Sequence, residues 1–142
     1  MTFFVDANVI LYSAFEGPGR RGCLRTLEAV ASGEAQGRTS PAVLEEVWHV
    51  ALRHDPEALG GLARAALEIF SPLLPVTEAA FVHALSIDRD GLGANDRLHV
   101  GTCASHDIDV VLTADRAFDG IDGIERVDPL DGEAVEGLLA RS

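Results

Sequence analysis

Short apolar runs and longer stretches of helical period take turns along the chain. TFFVD opens as a β-prone run ending on an acid, and ANVILYSAFEG then keeps helical spacing until Gly17-Pro18-Gly19 stops it. From Cys23 to Ala31 the positions Leu24, Leu27, Val30 and Ala31 again follow a helix, and a second short strand is expected before Ser40. Ser40 and Pro41 supply a cap and a first turn for a helix with Val43, Val47, Trp48 and Ala51 as its apolar stripe, ended by Asp55-Pro56. Glu57 to Phe70 reads as one alanine-rich amphipathic helix closed by Ser71-Pro72, with LLPV after it as a brief strand. Thr77 and Glu78 open a helix to about Ile87. The glycine-rich DGLGAND then delivers a helix from about Asp96 to His106, DVVLT is the clearest late strand, IERV is an edge strand, and Asp131 caps a last helix. Strands alternating with helices predict an α/β fold, a parallel sheet covered on both faces.

Length and composition keep this to one domain over residues 1–142, with 47% hydrophobic and 24% charged residues. No apolar run reaches the roughly 18 to 20 residues that span a bilayer, and no basic leader precedes the first apolar stretch, so a cytoplasmic protein is expected. Cys23 and Cys103 lack any ligand spacing and read as buried thiols. The formal charge of −12 argues against a phosphate-binding surface, unless the acids themselves gather cations. All 11 basic residues are arginine, so no lysine is available to a P-loop or to an aspartate-based phosphotransfer site. No Gly-x-Ser-x-Gly elbow is present either.

The acids fall where an α/β sheet binds its ligands, outside the carboxyl ends of the strands. Asp6 and Asp115 sit at or just beyond the ends of TFFV and DVVLT, Asp96 opens a helix, and Glu45 and Glu46 lie early in another. Right-handed crossovers bring such positions to one edge. Helix N-termini favour ionised carboxylates there, and ionised oxygens suit Mg²⁺. Taken singly, Asp6, Asp96 and Asp115 also fit helix caps, and periodicity does not choose between Glu45 and Glu46.

At these residues the chain resembles the PIN-domain family, particularly VapC-type toxins of bacterial toxin-antitoxin systems. FVDANVILY is similar to the family's strand-ending Asp followed by Asn, TSPAVLEEVWHVAL to its serine-led acidic helix, and NDRLHVGTCASHDIDVVLTADRAFDGI to its third-acid helix, buried strand and Thr-x-Asp-x-x-Phe signature. The resemblance implies a PIN-like three-layer α/β/α sandwich with a central parallel sheet. It implies Asp6, Glu46, Asp96 and Asp115 as catalytic metal ligands, with Asn8 orienting Asp6, Phe118 packing and Glu45 in reserve. Gly101 stands where alanine is common, and Ala117 where many relatives carry a further acid.

The same resemblance implies cleavage of RNA by water activated on one or two Mg²⁺ ions, with Mn²⁺ as a substitute. It further implies a homodimer held inactive by a cognate antitoxin. His99, one turn after Asp96, reads either as a proton shuttle or as a packed, hydrogen-bonded histidine. Thr113 and Ser40 are candidates to hydrogen-bond the ligands or to end their strand and cap their helix, and Arg97 and Arg116 to contact phosphate. The competing reading is a non-catalytic PIN-like binding module acting through protein partners, against which the four acids speak.

Overall fold

Phe3, Phe4 and Val5 are wholly buried, as are Val111 and Leu112. A strand that is apolar at successive positions must be covered on both faces, which the centre of a parallel sheet provides. In the computed structural model, which describes residues 1–142, β1 (Phe3–Val5) lies parallel to β3 (Val110–Leu112), Phe4 opposite Val111 and Val5 opposite Leu112. The short β2 (Gly37–Arg38) flanks β1, and β4 (Glu125–Val127) flanks β3. All pairings are parallel and the order is β2-β1-β3-β4. The expected parallel sheet, flanked by helices, is therefore what the chain forms. No helix is long and apolar enough to cross a membrane.

The helices are α1 (Ala7–Ser13), α2 (Arg20–Ala31), α3 (Pro41–His54), α4 (Pro56–Leu59), α5 (Leu62–Phe70), α6 (Glu78–Ser86), α7 (Ala94–Ser105) and α8 (Gly132–Arg141). Ser40 caps α3 by accepting from Val43 N, and Asp131 caps α8 by accepting from Ala134 N. Both caps are those the sequence predicts. Val43, Val47 and Ala51 of α3 join the core, but Trp48 does not; it is 55% exposed. Residues four apart stay nearly in line on a helix, whereas Trp48 follows Val47 by a rotation of roughly 100°.

Other elements differ from expectation for local reasons. The helix foreseen over Glu57–Phe70 is two, α4 and α5, parted at Gly60-Gly61. A β-carbon at Gly60 would lie 2.3 Å from the Pro56 carbonyl oxygen. α1 ends at Ser13, whose hydroxyl bonds back to the Ile10 carbonyl, short of the glycines that were expected to stop it. LLPV is no strand. Leu74 N does reach Thr39 O at 2.9 Å, but Pro72 and Pro75 have no N–H with which to extend a ladder. α7 starts at Ala94 with Gly93 at its cap, so Asp96 lies inside the first turn and is not the capping residue. Gly101 is more than a tolerated departure from alanine, because its β-carbon would sit 2.1 Å from the Ala80 carbonyl oxygen. α6 and α7 pack this closely only because the side chain is missing. Cys23 and Cys103 are buried and free, as expected.

Candidate active site

β1 and β3 end side by side, and the residue after each carries a polar group into the space between them. Asp6, 4% exposed, accepts from Ala7 N at 2.8 Å through Oδ1, which starts α1. Its Oδ2 accepts from Thr113 Oγ1 at 2.7 Å and from Asn8 Nδ2 at 3.2 Å. Asn8 also donates to Thr113 Oγ1 at 2.8 Å, and its Oδ1 accepts from Ala114 N at 3.0 Å, so its amide orientation is fixed. Thr113 Oγ1 takes a further bond from Asp115 N at 3.1 Å. This network braces Asp6 through Asn8, as the family resemblance implies, and Thr113 is hydrogen-bonded to the same carboxylate.

α3 and α7 bring the remaining groups. Glu46 Oε1 lies 2.7 Å from His99 Nε2, which is also 3.9 Å from Asp6 Oδ1. Ligand atoms of Asp6, Glu46 and His99 all fall within 4.8 Å of one another. Glu45 is exposed and outside that cluster, although it lines the same cleft as Glu46 and Asp96. His99 is fully buried, its ring 5.5 Å from that of Phe4. The packed, hydrogen-bonded reading of His99 is the observed one. Its place in the cluster was not foreseen, and the available signal was its position one turn after Asp96 on a shared helix face.

Asp96 completes the acidic edge by its electrostatics. Burial, then the charge of Asp6, with smaller contributions from Asp115 and Glu46 and relief from His99, pushes its pKa up to about 6. Burial also raises Asp6, against the opposing pull of His99, Thr113 and Ala7. His99 is raised in turn: burial opposes its charge, but the Glu46 hydrogen bond and the negative Asp6, Glu46 and Asp96 prevail. Asp115 is exposed and caps the short 3₁₀ turn Arg116–Phe118, accepting from Ala117 N at 2.9 Å. Phe118 is buried, as the packing role requires.

The arginines do not behave alike. Arg97 is spent on the main chain, donating to the carbonyls of Ile87, Arg89 and Leu92 and so tying down the loop before α7. It is not placed to hold phosphate. The Arg116 side chain is exposed and makes no hydrogen bond or ion pair within the chain; only its carbonyl is engaged, accepting from Asp119 N at 3.0 Å. Ser40 is buried and spends its hydroxyl on the α3 cap.

Residues 3–124 match the model of the PIN domain. The chain belongs to the PIN-domain family. This PIN domain is 31% identical over 128 residues to the VapC ribonuclease Mb1869c of Mycobacterium bovis, and to the same degree to the ribonuclease VapC13 of Mycobacterium tuberculosis. Each alignment covers 87% of this chain and 97% of the relative. Among solved structures it is similar to VapBC2 from Rickettsia felis bound to a DNA fragment from their promoter, with a TM-score of 0.68 and 14% identity over 90% of this chain and 98% of the other.

The donor set suits a divalent cation. The carboxylates of Asp6 and Glu46 converge with the His99 ring, and burial raises Asp6 while burial and the charge of Asp6 raise Asp96. A hard cation with oxygen ligands relieves that imbalance.

Proposed function

We propose that this PIN domain is a metal-dependent endoribonuclease, the toxin of a VapBC-type pair, with Asp6, Glu46, Asp96 and Asp115 as its catalytic metal ligands and Mg²⁺, or Mn²⁺ in its place, as the ion. The observation that carries the reading is the convergence of Asp6, Glu46 and His99 at the end of β1, with Asp96 electrostatically coupled to all three. Family membership and relatives named as VapC ribonucleases support the reaction class. When bound, the ion supplies Lewis acidity for the attack of water on phosphorus and neutralises charge on the leaving oxygen.

The chain's own groups perform the rest. Thr113 and Asn8 hold Asp6 in one orientation, so it meets the ion without rearranging. A cleft whose lining includes Glu45, Glu46, His49, Gly93, Asn95 and Asp96 offers RNA a path to the acids. Exposed Trp48 and Leu52 on α3, with Phe81, Val82 and Leu85 on α6, give a second copy and a cognate antitoxin apolar surface to cover. The setting is the cytoplasm.

Asp96→Asn keeps the side-chain shape and removes the charge, which makes it the direct test. Because losing a group that merely supports a ligand costs 10 to 100-fold, losing the ligand should reduce Mg²⁺-dependent RNA cleavage at least about 100-fold. The Mg²⁺-induced rise in melting temperature should vanish with it, since an ion binding only the folded state stabilises in proportion to the logarithm of its excess over Kd. Equal cleavage and equal Mg²⁺ response in mutant and wild type would remove Asp96 from the site, whereas a wild-type chain that neither cleaves RNA nor responds to Mg²⁺ would leave the non-catalytic module as the better reading.

A further inference from the structure

Three donor atoms within 4.8 Å, two carboxylate oxygens and one imidazole nitrogen, invite the reading that His99 is itself a ligand. The hydrogen bonding around the ring argues otherwise. His99 Nε2 faces Glu46 Oε1 at 2.7 Å, while Nδ1 is buried without any partner. A ligating Nε2 must present its lone pair, which moves the proton to Nδ1 and buries an N–H with no acceptor. Ligating histidines almost always donate that other N–H to a carboxylate, carbonyl or water. The same tautomer would also set a nitrogen lone pair against a carboxylate oxygen at hydrogen-bond distance. The opposite tautomer leaves only an unpaired acceptor at Nδ1, which a protein interior tolerates better than an orphaned donor.

We propose that His99 is a positioning residue for the metal site, its Nε2–H holding Glu46 Oε1 and leaving the other Glu46 oxygen to the cation. The role rests on the reading of the acidic cluster as a metal site. It does not depend on the charge of the ring, because neutral imidazole in this tautomer and imidazolium both carry the proton on Nε2. The position of His99 explains its burial: a donor aimed from α7 at α3, with the Phe4 ring beside it, cannot swing away from Glu46 without leaving a cavity. It also keeps the ligand set all oxygen. A nitrogen ligand would turn the site towards Zn²⁺ or Ni²⁺, whereas oxygen alone suits Mg²⁺ and Mn²⁺.

Long-range ¹H–¹⁵N NMR of the metal-free wild-type chain, at a pH where the ring is neutral, should find Nε2 protonated and Nδ1 bare; the reverse tautomer would overturn the proposal. Pulsed EPR of the Mn²⁺-loaded chain should detect no directly coordinated nitrogen, and a strong ¹⁴N coupling would overturn it equally. By calorimetry, His99→Gln, whose amide donates from a similar reach, should keep Mg²⁺ affinity within about threefold, while His99→Leu should lose about 10-fold or more. Equal affinity in the two variants would remove the positioning role. A wild-type chain that binds no Mg²⁺ would sink the metal site itself, and the tautomer of the metal-free protein would still decide what His99 does. That measurement needs no variant to fold.

Discussion

The Thr113 hydroxyl has no freedom left. Asn8 Nδ2 and Asp115 N occupy its acceptor sites, so its single proton is committed to Asp6 Oδ2 at 2.7 Å. Thr113→Val keeps the shape but strands two donors and takes one from Asp6. The expected result is a loss of about 1 to 3 kcal/mol in stability together with a roughly 10-fold loss of Mg²⁺ affinity, both restored by Thr113→Ser and both measurable by calorimetry and thermal melting. A Thr113→Val chain that binds Mg²⁺ as wild type would show that Asp6 needs no such brace. At this scale the sequence was informative where position alone decides. Asp6 follows an apolar strand, and the fold gathers it with Glu46 and His99, whereas Asp115, which also follows a strand, caps an exposed turn outside that group. The choice of Glu46 over Glu45 came from family resemblance, because helical period places both at the margins of the buried stripe. The His99–Glu46 bond spans 53 positions and two helices, a distance over which no local pattern carries information.

Among the elements, α6 and α7 meet most closely, and Gly101 is where they touch. By helix propensity alone, Gly101→Ala should stabilise α7 by about 1 kcal/mol. The Ala80 carbonyl, 2.1 Å from where the methyl carbon would go, is backbone and cannot step aside as a side chain would. The expected outcome is therefore the opposite sign, a destabilisation of about 1 to 3 kcal/mol through forced separation of the helices. Thermal or urea melting of the variant decides the matter, and a rise in stability would mean that the contact is looser than described. The capped helices α3 and α8 and the central strands were legible because caps and continuous apolar runs are local signals. LLPV was not, since Leu73–Val76 is apolar enough for a strand and only the prolines before and within it, Pro72 and Pro75, deny it a ladder. α4 and α5 were merged because alanine-rich sequence on either side of Gly60-Gly61 keeps one period across the break.

The whole molecule carries its acidity unevenly, and pH should report this. With Asp96 raised from an ordinary 3.8 to about 6, the stability it contributes is fully present below 3.8 and lost as pH climbs through about 6. Asp6 and His99 are also raised and act in the same direction. Glu34, Asp119 and Glu125, lowered by hydrogen bonds from Arg25, Arg126 and Arg141, oppose this only as pH falls through the ordinary carboxylate range and below. In chelator, the chain should therefore melt higher at pH 5 than at pH 7.5, with Asp96 supplying about 1 kcal/mol once its partial exposure to solvent is discounted. Asp96→Asn should flatten the trend, and saturating Mg²⁺ should reverse it. A wild-type profile flat across this window would mean that the acids are not crowded. The overall parallel architecture was the most legible feature of all, being written in the alternation of strands and helices. One consequence of it concerns birth rather than catalysis. Asp6 and Thr113, bonded in the finished fold, are 107 positions apart, and a ribosome delivers them in order. A growing chain owns its first carboxylate long before it has α7 or the hydroxyl that aims Asp6. The acidic cluster cannot assemble before the last strands emerge, so translation itself sets an interval in which the chain exists without it.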